Sequence, residues 1–145
     1  METSKTKPSV LFRVLAVVFV IWNLFGCAAY LADQMMSDAA YAEAYSEALA
    51  AVRDVYPVWG VAAYALAVWG GLAAAILFIL RKKLAVPLFG LSVLTAVVSF
   101  IPVFTNDVLR TASGDMFWLM PVIIFVMGVV EVLYSRHMSA RGVLD

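Results

Sequence analysis

Apolar and polar positions fall along this chain in long blocks, without the short alternation of a soluble domain. Residues 14–32, 58–80 and 84–105 contain no Asp, Glu, Lys, Arg or His, and a fourth block, 116–135, is uncharged for 15 residues before Glu131. At ~1.5 Å per helical residue each is long enough, or nearly so, to cross a hydrocarbon core of roughly 30 Å. Backbone in lipid must satisfy its own hydrogen bonds, so the blocks predict helices. The expected architecture is an all-α, integral membrane four-helix bundle in a single domain, with helices at about 10–32, 57–80, 84–105 and 116–135. Leu80-Arg81-Lys82-Lys83 separates the second and third helices. So short a basic turn makes them antiparallel neighbours at a membrane surface.

The polar stretches are read next. Residues 33–56 are rich in Ala and carry Asp38, Glu43, Glu47 and Asp54 against Arg53 alone. Ser37 or Asp38 can cap a helix here, and Tyr41, Tyr45, Leu49, Val52 and Tyr56 recur on one face. This predicts a short extracytoplasmic surface helix over 37–56, with the tyrosine rings buried at headgroup level and their hydroxyls wet. A lid over a ligand is the alternative use of the segment. Residues 106–115 read as a short outer loop, and 1–9 and 136–145 as polar tails.

Composition agrees: 65% of the 145 residues are hydrophobic and 14% charged, where a soluble domain has roughly a quarter charged. Net charge is formally zero, so nothing recommends nucleic acid as a partner. The distribution of cations sets orientation. Lys5, Lys7, Arg13, Arg81, Lys82, Lys83, Arg136 and Arg141 fall on one side, and only Arg53 and Arg110 on the other. The positive-inside rule puts the Arg81 turn and both termini in the cytoplasm of a bacterial inner membrane. Tyr56, Trp59 and Trp118 read as belt aromatics at the outer boundary.

Cys27 is the single cysteine. Leu24-Phe25-Gly26-Cys27 is similar to a lipoprotein cleavage box, but Phe25 departs from its small or aliphatic residue, and the apolar run continues past Cys27 where a lipoprotein needs a polar tether. The helix reading is therefore preferred, with lipidation of Cys27 as its alternative.

Helix two carries a ridge of small residues, Ala63, Ala67, Gly71 and Ala75, spaced by four and widened by Gly70 and Ala74. Small side chains let helix backbones approach in lipid, which makes helix two the expected packing centre. Helix three presents Ser92, Thr95 and Ser99 as a weakly polar seam, with Pro102 near its outer end.

Soluble-enzyme chemistry finds no footing. The single histidine, His137, supports neither a metal cluster nor a nucleophilic triad nor a haem-ligating pair. Gly70-Gly71 lies inside an apolar helix and not between strand and helix, as a phosphate loop requires. No catalytic residue, metal or cofactor is expected. Two polar features remain. Asn23 falls at the centre of 14–32, and Ser92 and Thr95 lie at matching depth, so a hydrogen bond from Asn23 to either hydroxyl would join helices one and three. Contact with a polar solute is the alternative. Glu131, read as close to the inner surface, pairs with Arg81, Lys82, Lys83 or Arg136, or else serves as a proton-coupling carboxylate.

Trp22-Asn23 with Gly26 and Tyr30, Met36-Ser37, Pro57 with Trp59, Gly70-Gly71, Leu80-Arg81-Lys82-Lys83 and Pro87-Leu88-Phe89 together resemble a set of small bacterial four-helix inner-membrane proteins that automated naming labels "sugar transporter". The resemblance spans helix one to helix four and implies that fold and location, without supplying functional residues. Asn23 stands where small multidrug antiporters have a membrane glutamate, and the proline-glutamine pair of three-helix sugar carriers is absent. Two functions are expected on these grounds: a non-enzymatic accessory or scaffold subunit, or a small-solute carrier acting as a homodimer. The bilayer, a second copy and another membrane subunit are the expected partners.

Overall fold

The computed structural model describes residues 6–145; Lys5, counted above among the cations, lies outside the described residues. The described chain is all-helical, in the order α1 (Val10–Met35), α2 (Asp38–Ala44), α3 (Glu47–Ala51), a 3-10 turn (Arg53–Val55), α4 (Val58–Ile79), α5 (Ala85–Thr105), α6 (Asp107–Ser113) and α7 (Leu119–Ala140). Four of these, α1, α4, α5 and α7, are long and apolar enough to cross a membrane.

Local chemistry sets the boundaries. Ser9 caps α1 by accepting from the Phe12 N–H at 3.1 Å, filling one of the orphan donors at a helix start. Ser37 does the same for α2, and Ser46 for α3. The cap at Ser46 divides the segment expected as one surface helix into two short helices and a 3-10 turn. The stretch expected as an outer loop is instead largely helical, because Asn106 Oδ1 accepts from the N–H groups of Val108 and Leu109 and starts α6.

The last long helix differs most from expectation, beginning three residues later than 116 and running five past 135. Its stop is at Gly142, whose φ of 70° lets Gly142 N–H reach Ser139 C=O and Val143 N–H reach Met138 C=O. This is the Schellman ending that a left-handed residue allows. α4 closes in the same way through Arg81, at φ 63°, with Arg81 N–H on Phe78 C=O and Lys82 N–H on Leu77 C=O. Residues 141–145, the end of the stretch expected as a polar tail, then fold back on that turn. Asp145 N–H donates to Arg81 C=O at 2.7 Å, Arg81 Nε to Val143 C=O at 2.8 Å and Lys83 N–H to Asp145 C=O at 2.9 Å.

α1 packs on α4, α4 on α5 and α5 on α7. The remaining seam, α7 against α1, is spanned by side chains, among them Phe19 and Tyr134 with ring centroids 6.1 Å apart. At the Arg81 end the interior is aromatic: Phe78 lies 4.8 Å from Phe12, 5.6 Å from Phe19 and 6.1 Å from Phe89 by ring centroids. Val143 and Leu144 join that cluster from the tail. The small-residue face of α4 is buried, with Ala63, Ala67, Gly71, Ala74 and Ala75 all turned inward. Gly70 is not on that face: a Cβ there would meet nothing within 4 Å.

Candidate functional site

The interior holds few polar side chains, and two of them meet. Asn23 and Glu131, only 7% and 3% exposed, are joined by a hydrogen bond from Asn23 Nδ2 to Glu131 Oε1 at 2.6 Å. The same amide nitrogen donates to Phe19 C=O one turn back, at 2.8 Å. The backbone carbonyl fixes the amide plane, and the amide aims its other N–H across the seam at the carboxyl.

Gly71 makes room for this arrangement. A Cβ at Gly71 would collide with Asn23 Oδ1 and stand 2.9 Å from Ser92 Oγ. The glycine therefore lets α1 and α5 both bring polar side chains onto α4. Ser92 Oγ donates to Ala67 C=O at 2.7 Å, tying α5 to α4. Thr95 turns back on its own helix, to Leu91 and Ser92 carbonyls at 2.9 and 3.1 Å. Ser99 likewise bonds Ala96 C=O.

Two expectations are corrected here. Asn23 shares a neighbourhood with Ser92 but spends its donors on Phe19 and Glu131, so the hydrogen-bonded link from α1 goes to α7 and not to α5. Glu131 is not near a helix end: nine residues, about 14 Å at the helical rise, separate it from Ala140. It makes no ion pair with Arg81, Lys82, Lys83 or Arg136 among the described residues. The sequence signal that locates it is Gly142, a C′ glycine following Arg136, His137 and Arg141, which marks a helix end beyond 135.

Chemically, the pair is one acid that can hold or release a proton and one amide able to donate to it. Every buried side-chain nitrogen or oxygen among the described residues has a partner. No group of three or more His, Cys, Asp or Glu comes together there as a metal site.

A second polar cluster sits at the Pro57 end. Arg53 donates to the carbonyls of Met36, at 2.9 Å, and Asp33, pairs with Asp38 at 3.2 Å and lies over the Tyr41 ring at 4.7 Å. Tyr45 donates its hydroxyl to Asp33 Oδ1 at 2.5 Å, which pushes its pKa up to about 12. Burial pushes Tyr56 up to about 12, and its hydroxyl donates to Ser99 C=O. These bonds fasten the α2–α3 segment onto α1 and α5. Between α5 and α7 on the same half lies an apolar groove of about 370 Å³, lined by residues that include Val97, Phe100, Phe104, Pro121 and Phe125.

The chain matches no protein-family model, no curated protein and no solved structure.

Proposed function

We propose that this chain is a multi-pass protein of the bacterial inner membrane, working as a non-enzymatic accessory or scaffold subunit of a larger membrane assembly. Membrane insertion is supported by the inverted polarity of the bundle. Leu66, Leu94, Val126 and Leu133, 58%, 61%, 52% and 59% exposed, point outward at mid-helix while Asn23 and Glu131 are interior. Water would not tolerate so much contiguous apolar surface on a monomer. The excess of cations at the Arg81 end supports a cytoplasmic location for that end and an extracytoplasmic one for residues 37–56.

The observation that carries the subunit reading is the closed interior. Phe12, Phe19, Phe78, Phe89 and Leu144 fill the Arg81 half, and the buried polar side-chain atoms of the described residues all have hydrogen-bond partners within the chain. Among the described residues a single bundle then leaves a solute no unpaired buried polar side-chain atom. Bilayer lipid and another membrane subunit are the partners in this reading. Purification in mild detergent followed by mass analysis tests it. A stoichiometric unrelated subunit is the expected result, and a pure monomer or homodimer overturns it.

The Asn23–Glu131 pair favours a second reading, a small-solute carrier acting as a homodimer. A carboxyl and an amide are the groups that hydrogen-bond a sugar-like hydroxylated solute, and the resemblance to proteins labelled sugar transporters points the same way. Solute flux into vesicles that the wild type supports and a folded, inserted Asn23→Ala variant loses would decide for it.

A further inference from the structure

Glu131 is the one carboxyl buried among the described residues, and it lies where the helix ring is closed by side chains. The elements around it offer no countercharge. On α1, Arg13 and Asp33 are each ten residues from Asn23, about 15 Å along the helix, with Cys27 and Tyr30 as its other titratable groups. α4 contributes only Tyr64, whose ring packs against Tyr30 with centroids 5.2 Å apart, and α5 has no titratable side chain. On α7 itself Tyr134 packs its ring on Phe19 and Phe78, and Arg136 and His137 follow toward the helix end.

We infer that Glu131 is a proton-binding site that works the α1–α7 seam. With the proton bound, the carboxyl is neutral and the seam shuts over it, one oxygen held by the Asn23 amide. When the proton leaves to water, the charge left behind has a single amide N–H and no cation. Such a buried charge is strongly unfavourable unless hydrated. Water enters where side chains alone bridge the helices, and α1 loosens from α7. Intramembrane carboxyls with this isolation are functional groups by default. The inference rests on the membrane reading and on neither the subunit nor the carrier role.

The chain carries its own reporter. Cys27 lies one turn beyond Asn23 on the buried stripe of α1, 4% exposed, with Sγ 3.3 Å from Val68 C=O. The test is alkylation of Cys27 by iodoacetamide in the full chain reconstituted in vesicles, from about pH 6 to about pH 10, for wild type and Glu131→Gln. Thiol ionisation speeds both, so their ratio isolates the carboxyl. A ratio near unity at the acid end, rising roughly ten-fold or more at the alkaline end, is expected for a seam that opens locally. A ratio independent of pH overturns the inference. Should Glu131→Gln fail to fold, infrared spectra of the wild type serve instead. The band of a protonated carboxyl in apolar surroundings must disappear over the same range, and its persistence or absence throughout overturns the inference. Vesicle flotation reports insertion separately, so failure of the membrane reading is distinguishable from failure of the proton site.

Discussion

Asn23 and Glu131 stand 108 positions apart in the chain and 2.6 Å apart in the fold, and their hydrogen bond joins the first long helix to the last. It closes the ring that sequential packing of α1, α4, α5 and α7 leaves to side chains.

Removing Asn23 strands the buried carboxyl oxygen, and removing Glu131 leaves a void and one free N–H on an amide still held by Phe19 C=O. Asn23→Ala is expected to cost about 1–3 kcal/mol, and Glu131→Ala a similar amount. The double variant should cost clearly less than their sum, with a coupling of about 0.5–3 kcal/mol. Asn23→Ala with Thr95→Val should be additive, since the Thr95 hydroxyl is bound to its own helix. Reversible unfolding in mixed detergent measures each variant, Thr95→Val alone included. Additivity of Asn23 with Glu131 would mean the bond does not hold the seam.

Adjacent glycines give an internally controlled test of packing. Gly71→Ala drives a methyl group into Asn23 Oδ1 and Ser92 Oγ, and overpacking of this kind costs about 1–3 kcal/mol. Gly70→Ala meets open space and should be neutral or slightly stabilising, because alanine is the better helix former by about 1 kcal/mol. Comparable losses from both would show that the close approach at Gly71 is unimportant.

Much of this architecture is legible from residue order alone. Long uncharged blocks require helices, so the four long helices follow from the absence of charge. The inward face of α4 follows from the spacing of Ala63, Ala67, Gly71 and Ala75. The partner of Asn23 does not follow, for a specific reason. Depth matching depends on helix ends, and ending the last helix at 135 puts Glu131 one turn from an end when α7 runs on to Ala140 and the side chain is interior. Hydropathy is a poor guide there because Arg136, His137 and Arg141 look like a tail, whereas the stop is made by Gly142. The fold-back of Val143 and Leu144 is illegible for a different reason, since it depends on a left-handed arginine that no sequence rule favours.

Tyr45 provides a pH-dependent signature outside the long helices. Its hydroxyl donates to Asp33, so ionisation is opposed in the folded state and the pKa rises from 10.0 to about 12. A folded-state value above the unfolded one means the contribution is complete below pH 10.0 and is lost as pH climbs toward about 12. Ultraviolet titration of tyrosinate should show this group titrating late, and Asp33→Asn should bring it down. If Asp33→Asn leaves the tyrosine titration unchanged, the Tyr45–Asp33 bond does not form in solution.

Arg81 combines a conformational cost with a set of bonds that offsets it. At φ 63° a residue with a Cβ is strained by about 1–2 kcal/mol, and glycine would occupy the position freely. The arginine side chain supplies what glycine lacks: Nε donates to Val143 C=O at 2.8 Å and a terminal nitrogen to Thr6 C=O at 3.1 Å. These bonds seat residues 141–145, and with them Leu144, 1% exposed, against the Phe12 and Phe78 cluster. Arg81→Ala keeps the strain and loses the bonds, whereas Arg81→Gly loses the bonds and relieves the strain. Arg81→Ala should therefore be the less stable of the two by about 1 kcal/mol. Leu144→Ala, which empties a buried site without touching the turn, should cost about 2–5 kcal/mol. Proteolysis of the tail gives the matching local measurement, with faster cleavage expected in both Arg81 variants than in wild type. Equal stability of the alanine and glycine variants would show that Arg81 is not held left-handed. Unchanged cleavage would show that its side chain does not hold the tail.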